Sequence, residues 1–290
     1  MVCDENDEHC MKLCSHSCKS NFTRKVMQKI MNKAKVMSWY QWTIVGGRVE
    51  RKHFSGTVIQ CVKQLQKKKT QYLWHVFVKQ KQSGYFDHIK ENADDTTVVY
   101  QVDYAENYTL QDQDQIQSAH WSKKQLSIST AYTWMGDSGE DGYSFGFVSN
   151  SKKHDKFTVI TCLEILVQER TALMPDVDQI IFFSDGAASQ CKNRYIIQYL
   201  TNMMDKFDIE FSWNYFSSLH GKGVVDSIGS ALKRLVWIDV MAGARCSSAK
   251  EFVNICKRKT KTIIVGLVQQ AQFDTIEALL KLFSKYCWCT

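Results

Sequence analysis

The chain has 290 residues, of which 44% are hydrophobic, 12% aromatic and 23% charged. These proportions are typical of a folded protein and exclude an intrinsically disordered chain. The acidic first residues lack the basic and apolar regions of a secretory signal, and no apolar run reaches the roughly 18 residues that span a bilayer. We therefore expect an intracellular protein with no membrane partner, built as one large domain and a smaller one.

Eleven cysteines, an odd number, indicate reduced thiols or metal ligands rather than a disulfide framework. Near the start of the chain, Cys10, Cys14 and Cys18 recur every four residues, so on a helix they would lie one above another, with His9 close by. The spacing lacks the paired C-x₂-C of common zinc sites. Two interpretations stay open: a structural zinc ion and, favoured by the spacing, unpaired thiols.

The positive charge is concentrated in residues 19–90, which contain sixteen basic and two acidic residues and so carry a net charge of +14. Aromatic residues are interleaved with the basic ones. A segment of this kind is typical of a surface that neutralises nucleic-acid phosphates. The alternative is a solvated lysine-rich helix, because apolar residues recur at helical spacing over 58–76. The sequence favours contact with DNA, with Lys67, Lys68 and Lys69 as candidate contacts.

The predicted elements begin with helices. Residues 1–95 are predicted to form a Cys-rich N-terminus and a basic helical accessory region, with helices over 23–36 and 56–81 and a break at Gly46 and Gly47. From residue 96 the runs become β-branched and aromatic, which predicts three consecutive strands. These strands cover residues 97–104, 125–133 and 143–149.

Helices and strands then alternate along the chain. Helices are predicted over 157–170, 193–207 and 224–240, and strands over 179–184 and 209–217. This order predicts an α/β domain over 96–245 with a mixed sheet, whose later strands are joined by parallel crossovers. Residues 246–290 are predicted as a C-terminal helical extension that ends in an amphipathic helix over 274–286.

Three aspartates lie where these elements end or begin. Asp103 lies near the end of the first of the three strands, and Asp185 directly follows the apolar strand over 179–184, at the carboxyl end where open α/β sheets hold their sites. An Asp-Gly pair after a strand can also be a plain turn. Asp226 begins the helix over 224–240, where an acid also interacts favourably with the helix dipole.

Carboxylates that converge without cations repel one another, so such a group is normally held together by hard divalent ions with oxygen ligands. We therefore predict that Asp103, Asp185 and Asp226 bind Mg²⁺ or Mn²⁺, and that two such ions promote displacement at a phosphodiester. On its helix, Asp226 shares one face with Gly229, Ser230 and Lys233. We expect that face to lie opposite the apolar stripe and away from the core.

Further candidates lie beside the three acids in the sequence. His220, in a glycine-flanked turn, is predicted as an auxiliary catalytic residue that binds the scissile phosphate or moves a proton, because imidazole titrates near neutral pH. Asp155 is predicted to cap the helix over 157–170, and His154 beside it is a weaker DNA candidate. Neither Cys162 nor Cys191 lies in the Cys/His setting of a cysteine nucleophile. Candidate nucleic-acid contacts are Lys192, Arg194, Lys222, Lys233 and Arg234.

Several motifs resemble a known group of proteins. The run GVVDSIGSALKR from Gly223 is similar to a catalytic helix of DDE-type transposases and retroviral integrases, with Asp226 in the place of their glutamate. The runs VDYAENY from Val102, FFSDGAASQCKNR from Phe182 and SLHGKG from Ser218 resemble transposon-derived proteins of invertebrate genomes. The resemblance covers about residues 38 to 240.

The resemblance implies a ribonuclease H-like fold in which Asp103, Asp185 and Asp226 form the metal-binding triad of an enzyme that cleaves DNA or transfers its strands. It implies DNA as the partner and the nucleus as the location, and leaves a homo-oligomer open. Two alternatives remain. One is a domesticated DNA-binding protein that keeps the fold without the chemistry, and the other is a cellular ribonuclease or exonuclease with the same fold.

Overall fold

The computed structural model describes residues 18–110, 124–136, 139–173, 176–216 and 223–286. The chain divides into two compact units, residues 1–81 and residues 82–290. Across the described ranges, no helix is both long enough and apolar enough to cross a bilayer.

Over residues 18–81, the described part of the first unit, the chain forms a helix, a β-hairpin and the greater part of a second helix. Helix α1 covers Cys18–Lys29, and strands β1 (Val36–Val45) and β2 (Arg48–Thr57) pair antiparallel from end to end. Helix α2 (Val58–Glu91) follows directly and continues into the second unit.

The hairpin corrects the prediction that this basic region is helical throughout. Gly46 and Gly47 form its turn with φ angles of +54° and +80°, a conformation that glycine adopts without steric penalty. Residues 39–45 are aromatic and β-branched, and such side chains favour a pleated strand over a helix. The two glycines therefore join two strands instead of interrupting a helix.

The second unit is a mixed α/β domain with a six-stranded sheet. Its strands are β3 (Thr97–Thr109), β4 (Gln125–Met135), β5 (Asp141–Ser149), β6 (Gln179–Ser184), β7 (Glu210–Tyr215) and β8 (Ile263–Leu267), in the spatial order β7-β6-β3-β4-β5-β8. The first three strands pair antiparallel in sequence order, and β6, β7 and β8 are added in parallel. The predicted mixed α/β class and the predicted strands are confirmed.

Helices cover both faces of this sheet. They are α3 (Lys156–Leu173), α4 (Arg194–Phe207), α5 (Val224–Met241), α6 (Ala249–Lys259) and α7 (Gln270–Tyr286). One core layer joins α3, α4 and α7 to one face of the sheet, around Tyr100, Phe145 and Phe182. A second layer joins α5 and α6 to the opposite face, around Ile128 and Leu232.

The C-terminal segment is not wholly helical, in contrast to the prediction for residues 246–290. Strand β8 lies between α6 and α7 and pairs in parallel with β5, from Ile263 beside Ser144 to Leu267 beside Val148. Its β-branched residues complete the edge of the sheet, and Val265 is buried there. This segment is therefore part of the α/β domain.

Helix α5 packs unusually closely on the sheet at Gly229. A Cβ atom placed on this glycine would lie 2.5 Å from the Cβ of Ala105 on β3 and 3.5 Å from the Cγ2 of Thr130 on β4. Gly229 is buried, so the expectation that its face points away from the core is wrong at this position. The buried stripe of α5 includes this glycine together with Val225, Ile228, Leu232, Val236 and Val240.

We predict that Gly229→Ala destabilises the protein by about 1–3 kcal/mol, because the added methyl group overpacks the contact with Ala105. Gly84→Ala is the matched control. Gly84 lies in the interior of helix α2 with no atom near its Cβ position, so the same change there should stabilise by up to about 1 kcal/mol. Urea denaturation of the two variants measures the difference. Equal stabilisation by both changes would contradict the packing described for α5.

Candidate active site

The sheet topology places two of the predicted acids side by side. Asp103 lies on β3, in register with Thr130 of β4, and Asp185 directly follows β6. Strands β3 and β6 are parallel neighbours, and Gln101 pairs with Phe183. Asp103 and Asp185 each lie two residues beyond that pair, and neighbouring strands are roughly 4.8 Å apart. Both carboxylates therefore lie at the same level of the sheet, where β6 ends while β3 continues to Thr109.

The third acid reaches the same place from the helix above the sheet. Asp226 is in the first turn of α5, and the helix begins beside β3: a Cβ on Gly223 would lie 3.3 Å from the side-chain amide of Gln101. One turn after Asp226, Gly229 contacts Ala105. The close packing of α5 thus brings Asp226 to the part of β3 that contains Asp103.

The three carboxylates influence one another electrostatically. The pKa of Asp103 is raised to about 6, first because the side chain is largely buried and then because of the negative charges of Asp185 and Asp226. One hydrogen bond, donated by the Tyr104 amide at 2.7 Å to Asp103 Oδ1, opposes this rise. Three acids from three separate elements therefore form one electrostatic unit.

The carboxylates are not gathered into a ready-made metal cage. Asp103 accepts a hydrogen bond from its own strand, and Asp185 Oδ1 accepts one from the Ala187 amide at 3.3 Å. Among the residues whose positions are described, no three His, Cys, Asp or Glu side chains are placed to hold a metal ion together. The atoms that these three side chains offer to a metal are all carboxylate oxygens, which suit hard ions such as Mg²⁺ and Mn²⁺.

Lys233 introduces a positive charge beside this unit. It lies two helical turns after Asp226 on the same flank of α5, and the charges of Asp226 and of Glu106 both act to raise its pKa. Partial burial has the larger effect, so the pKa of Lys233 is lowered overall. Lys233 therefore lies near the acids, as the sequence suggested, and Glu106 on β3 is a neighbour that sequence reasoning did not single out.

Asp103 and Asp185 are both among the residues that line a small cavity of about 20 Å³, enough for about one water molecule. Cys162 and Cys191 are among its lining residues. Burial raises the pKa of Cys162 to about 11 and that of Cys191 to about 12. Both thiols stay protonated at neutral pH and are poor nucleophiles.

Basic and aromatic side chains cluster where helices α3 and α4 begin. Lys156 Nζ lies 3.6 Å from the centre of the Tyr195 ring. The guanidinium carbon of Arg194 lies 5.0 Å from the same ring centre, and Arg194 donates a hydrogen bond to the Tyr195 hydroxyl. Lys192 lies over Tyr215, whose hydroxyl donates to the Cys191 carbonyl. We call Lys156, Lys192, Arg194 and Tyr195 the basic rim.

The basic rim includes residues that sequence reasoning found and residues that it missed. Lys192 and Arg194 were candidates because they follow Asp185 closely in the sequence. Lys156 and Tyr195 were not, because Lys156 lies 29 positions before Asp185 and only the fold brings it to Tyr195. The sequence signal that could have found Lys156 is its position after a strand. Lys156 follows β5 as Lys192 follows β6, and these two strands point in the same direction.

The capping role predicted for Asp155 is confirmed. Its Oδ1 accepts hydrogen bonds from the amides of Phe157 and Thr158 at 3.1 Å each, at the start of α3. His154 stacks on Tyr104 with 4.4 Å between ring centres, and its Nε2 lies 3.0 Å from Asn107 Oδ1. His154 thus packs against β3 through Tyr104 and Asn107.

The remaining predicted site residues belong to the first unit, lie further along α5 or fall outside the described residues. His220 and Lys222 are outside them, as are His9, Cys10 and Cys14, while α1 begins at Cys18. Arg234 is exposed on α5. Lys67 and Lys68 are exposed on α2 and Lys69 is half-buried there, all three in the first unit.

Comparison with known proteins gives this domain a family. A family described as a domain of unknown function (DUF8701) matches residues 82–287. The chain belongs to this family. The DUF8701 match begins at the residue where the second compact unit begins, and it contains Asp103, Asp185, Asp226 and the basic rim. No curated protein matches the chain.

The raised pKa of Asp103 in this DUF8701 domain predicts a pH-dependent stability. Its folded-state pKa of about 6 exceeds the ordinary value of 3.8, so the folded state holds its proton more tightly and stability falls as pH rises from about 4 through 6. Asp103→Asn removes this loss. In EDTA the variant should be more stable than wild type at pH 8, by at most about 3 kcal/mol before solvent screening, and about equal at pH 4.

Urea denaturation at several pH values measures this difference. Asp205→Asn, at an exposed carboxylate on α4, is the matched control and should show no such pH-dependent gain. If Asp103→Asn is less stable than wild type at pH 8, the carboxylate is a structural hydrogen-bond acceptor and not an ionised group held under repulsion.

Proposed function

We propose that this protein is a metal-dependent enzyme that cleaves DNA or transfers DNA strands, with a ribonuclease H-like catalytic domain of the transposase and integrase kind. The observation that carries the proposal is the electrostatic coupling of Asp103, Asp185 and Asp226, three acids that come from a strand, a strand end and a helix. Burial makes the largest contribution to the raised pKa of Asp103, and the charges of two other acids raise it further, whereas structural carboxylates are normally paired with cations.

The order of the elements supports the fold assignment. Three consecutive antiparallel strands are followed by helix, strand, helix, strand and helix, which is the order that the resemblance to this superfamily implies. Asp103 lies on β3, Asp185 directly follows the adjacent parallel strand β6, and Asp226 lies on helix α5, which packs on β3. The three acids therefore lie at the same level of the sheet, where β6 ends. Helices α6 and α7 and strand β8 are additions to that arrangement.

Asp103, Asp185 and Asp226 would hold the divalent ion. When bound, such an ion neutralises charge at a scissile phosphate and stabilises the attacking and leaving oxygens. The carboxylates supply oxygen ligands at an edge where the sheet and α5 exclude solvent from one side, which strengthens their interaction with a cation. Lys233 limits the negative charge on the α5 side, where Asp226 and Glu106 flank it.

The basic rim would hold the DNA backbone beside the acids. Lys156, Lys192 and Arg194 each lie against an aromatic ring, which fixes a flexible cation in place without neutralising it. Phosphates bind to positive side chains of this kind, with release of counterions. The negative site and its positive border then match a substrate whose reacting phosphate lies within a longer polyanion.

A second candidate function is DNA binding without catalysis. The specific observation that favours it is that the described carboxylates are not placed for joint metal binding. Under this alternative the basic rim and the basic first unit bind DNA while the acids are a remnant. A ribonuclease or exonuclease on the same fold differs from the main proposal in substrate only, so duplex DNA, single-stranded DNA and RNA are compared in the same assay.

We predict that the purified chain nicks supercoiled plasmid in Mn²⁺ or Mg²⁺ and not in EDTA. Asp185→Asn and Asp226→Asn should each abolish nicking, because each removes a charged ligand. The melting temperature of Asp185→Asn should stay level or rise, because the change relieves repulsion with Asp103. His220→Ala should only slow the reaction, by roughly 10²–10⁴-fold, the usual contribution of acid/base assistance.

Asp178→Asn is the matched control for the nicking assay. Asp178 is exposed and lies just before β6, at the opposite end of that strand from Asp185, so its substitution should leave nicking unchanged. Wild-type nicking by Asp185→Asn would refute the site. A chain that binds the plasmid and nicks it with neither ion would instead support the non-catalytic alternative.

A further inference from the structure

The β-hairpin of the first unit has an exposed aromatic and basic face that the catalytic proposal does not use. Strand residues alternate between two faces, so one face presents the cross-strand pairs Tyr40 with His53, Trp42 with Arg51 and Ile44 with Val49. We call these six residues the ribbon face. Tyr40 is 62% exposed, Trp42 64% and Ile44 74%.

The opposite face of the hairpin is different in kind. There Trp39 stacks on Phe54 with 6.1 Å between ring centres, and Lys52 pairs with Glu50 at 4.0 Å. Trp39 is half-buried, whereas Tyr40 and Trp42 beside it are exposed. The large aromatic residues of the ribbon face are therefore left in solvent although the same strand offers a more sheltered face. A concentration of exposed apolar area on so small an element indicates a binding surface.

The charges of the ribbon face indicate a polyanion. Arg51 lies over the Tyr40 ring at 4.2 Å, and His53 contacts the same ring at 5.0 Å. The face contains no carboxylate, because Glu50, the acid of this hairpin, points to the other side. The surrounding segment 19–90 carries a net charge of +14. A partner that combines flat apolar rings with negative charge fits such a face.

We propose that the ribbon face binds single-stranded nucleic acid, with unpaired bases stacked on Trp42 and on the guanidinium plane of Arg51 and with phosphates near the adjacent basic residues. Bases stack on aromatic rings and on arginine regardless of sequence. In an intact duplex the base faces are already stacked on one another, so exposed rings favour unpaired strands. This inference concerns a surface separate from the carboxylates and does not depend on catalysis.

A second copy of the chain is a weaker fit for this face. A dimer through this face would bring together two copies of a segment that carries a net charge of +14. Like charges that face one another across an interface oppose association, whereas a polyanion is attracted to the same surface.

The test is binding of a fluorescein-labelled oligothymidine by the full chain in EDTA, measured by anisotropy, so that no cleavage contributes. Trp42→Ala should weaken binding about 5- to 100-fold, and Trp42→Phe should retain most of it, because loss of one stacked base corresponds to roughly 1–3 kcal/mol. Tyr72→Ala is the matched control. Tyr72 is 65% exposed on α2 in the same unit, and its removal should leave binding unchanged.

Each other outcome overturns the proposal. Equal losses in Trp42→Ala and Tyr72→Ala would show that the ribbon face has no particular role in binding. No loss in either variant would show that charge alone binds the oligonucleotide. Tighter binding of a duplex of the same length, with the same dependence on Trp42, would identify duplex DNA as the occupant. A dimer in sedimentation that Trp42→Ala dissociates would identify a second copy. If the chain nicks plasmid but fails this test, the proposed role of the hairpin is refuted and the catalytic proposal is not affected.

Discussion

The close approach of helix α5 to strand β3 is the contact on which the candidate site depends. Gly229 leaves no room for a side chain against Ala105, and this lets the first turn of the helix descend to the level of Asp103. A bulkier residue at position 229 would raise the helix from the sheet and separate Asp226 from the other two acids. The same contact is part of the core layer that includes Ile128 and Leu232, so the stability of the fold and the geometry of the site are linked.

The three carboxylates of the site repel one another, and the fold keeps them close despite this repulsion. Burial and the two neighbouring acids raise the pKa of Asp103 to about 6, and only the Tyr104 amide opposes them. The remaining cohesion comes from apolar packing on both faces of the sheet, where Tyr100, Phe182 and Leu232 are fully buried. A site of this kind is poised to gain from a cation, because bound positive charge would relieve repulsion that the folded chain otherwise retains.

Much of the α/β domain could be predicted from the sequence, because its elements have clear periodicity. The apolar run of β6 and the amphipathic α4 and α5 lie within one or two residues of their expected positions. Spacing could also place Asp185 at a strand end. Residue spacing could not show that Gly229 is buried, because the buried face of α5 depends on which strands the helix packs against. Strand β8 was missed because a five-residue strand between two helices has no periodicity of its own.

The hairpin shows a different limit. Charge dominated the interpretation of residues 19–90, and a basic segment with scattered apolar residues favours a helix when composition is considered alone. The alternation of half-buried Trp39, Gln41 and Thr43 with exposed Tyr40 and Trp42 is visible in the sequence only once Gly46 and Gly47 are taken as a turn. Lys156 and Tyr195 were also missed, because their contact joins elements that are distant in the sequence.

The coupling of Asp103, Asp185 and Asp226 into one electrostatic site can be measured through the pKa of Asp103. Carboxyl-carbon NMR titration in EDTA would give this pKa in wild type, in Asp185→Asn and in Asp226→Asn. We expect a value of about 6 in wild type and a lower value in each variant, since each removes one neighbouring negative charge. A wild-type value near the ordinary 3.8, or a value that neither substitution changes, would contradict it.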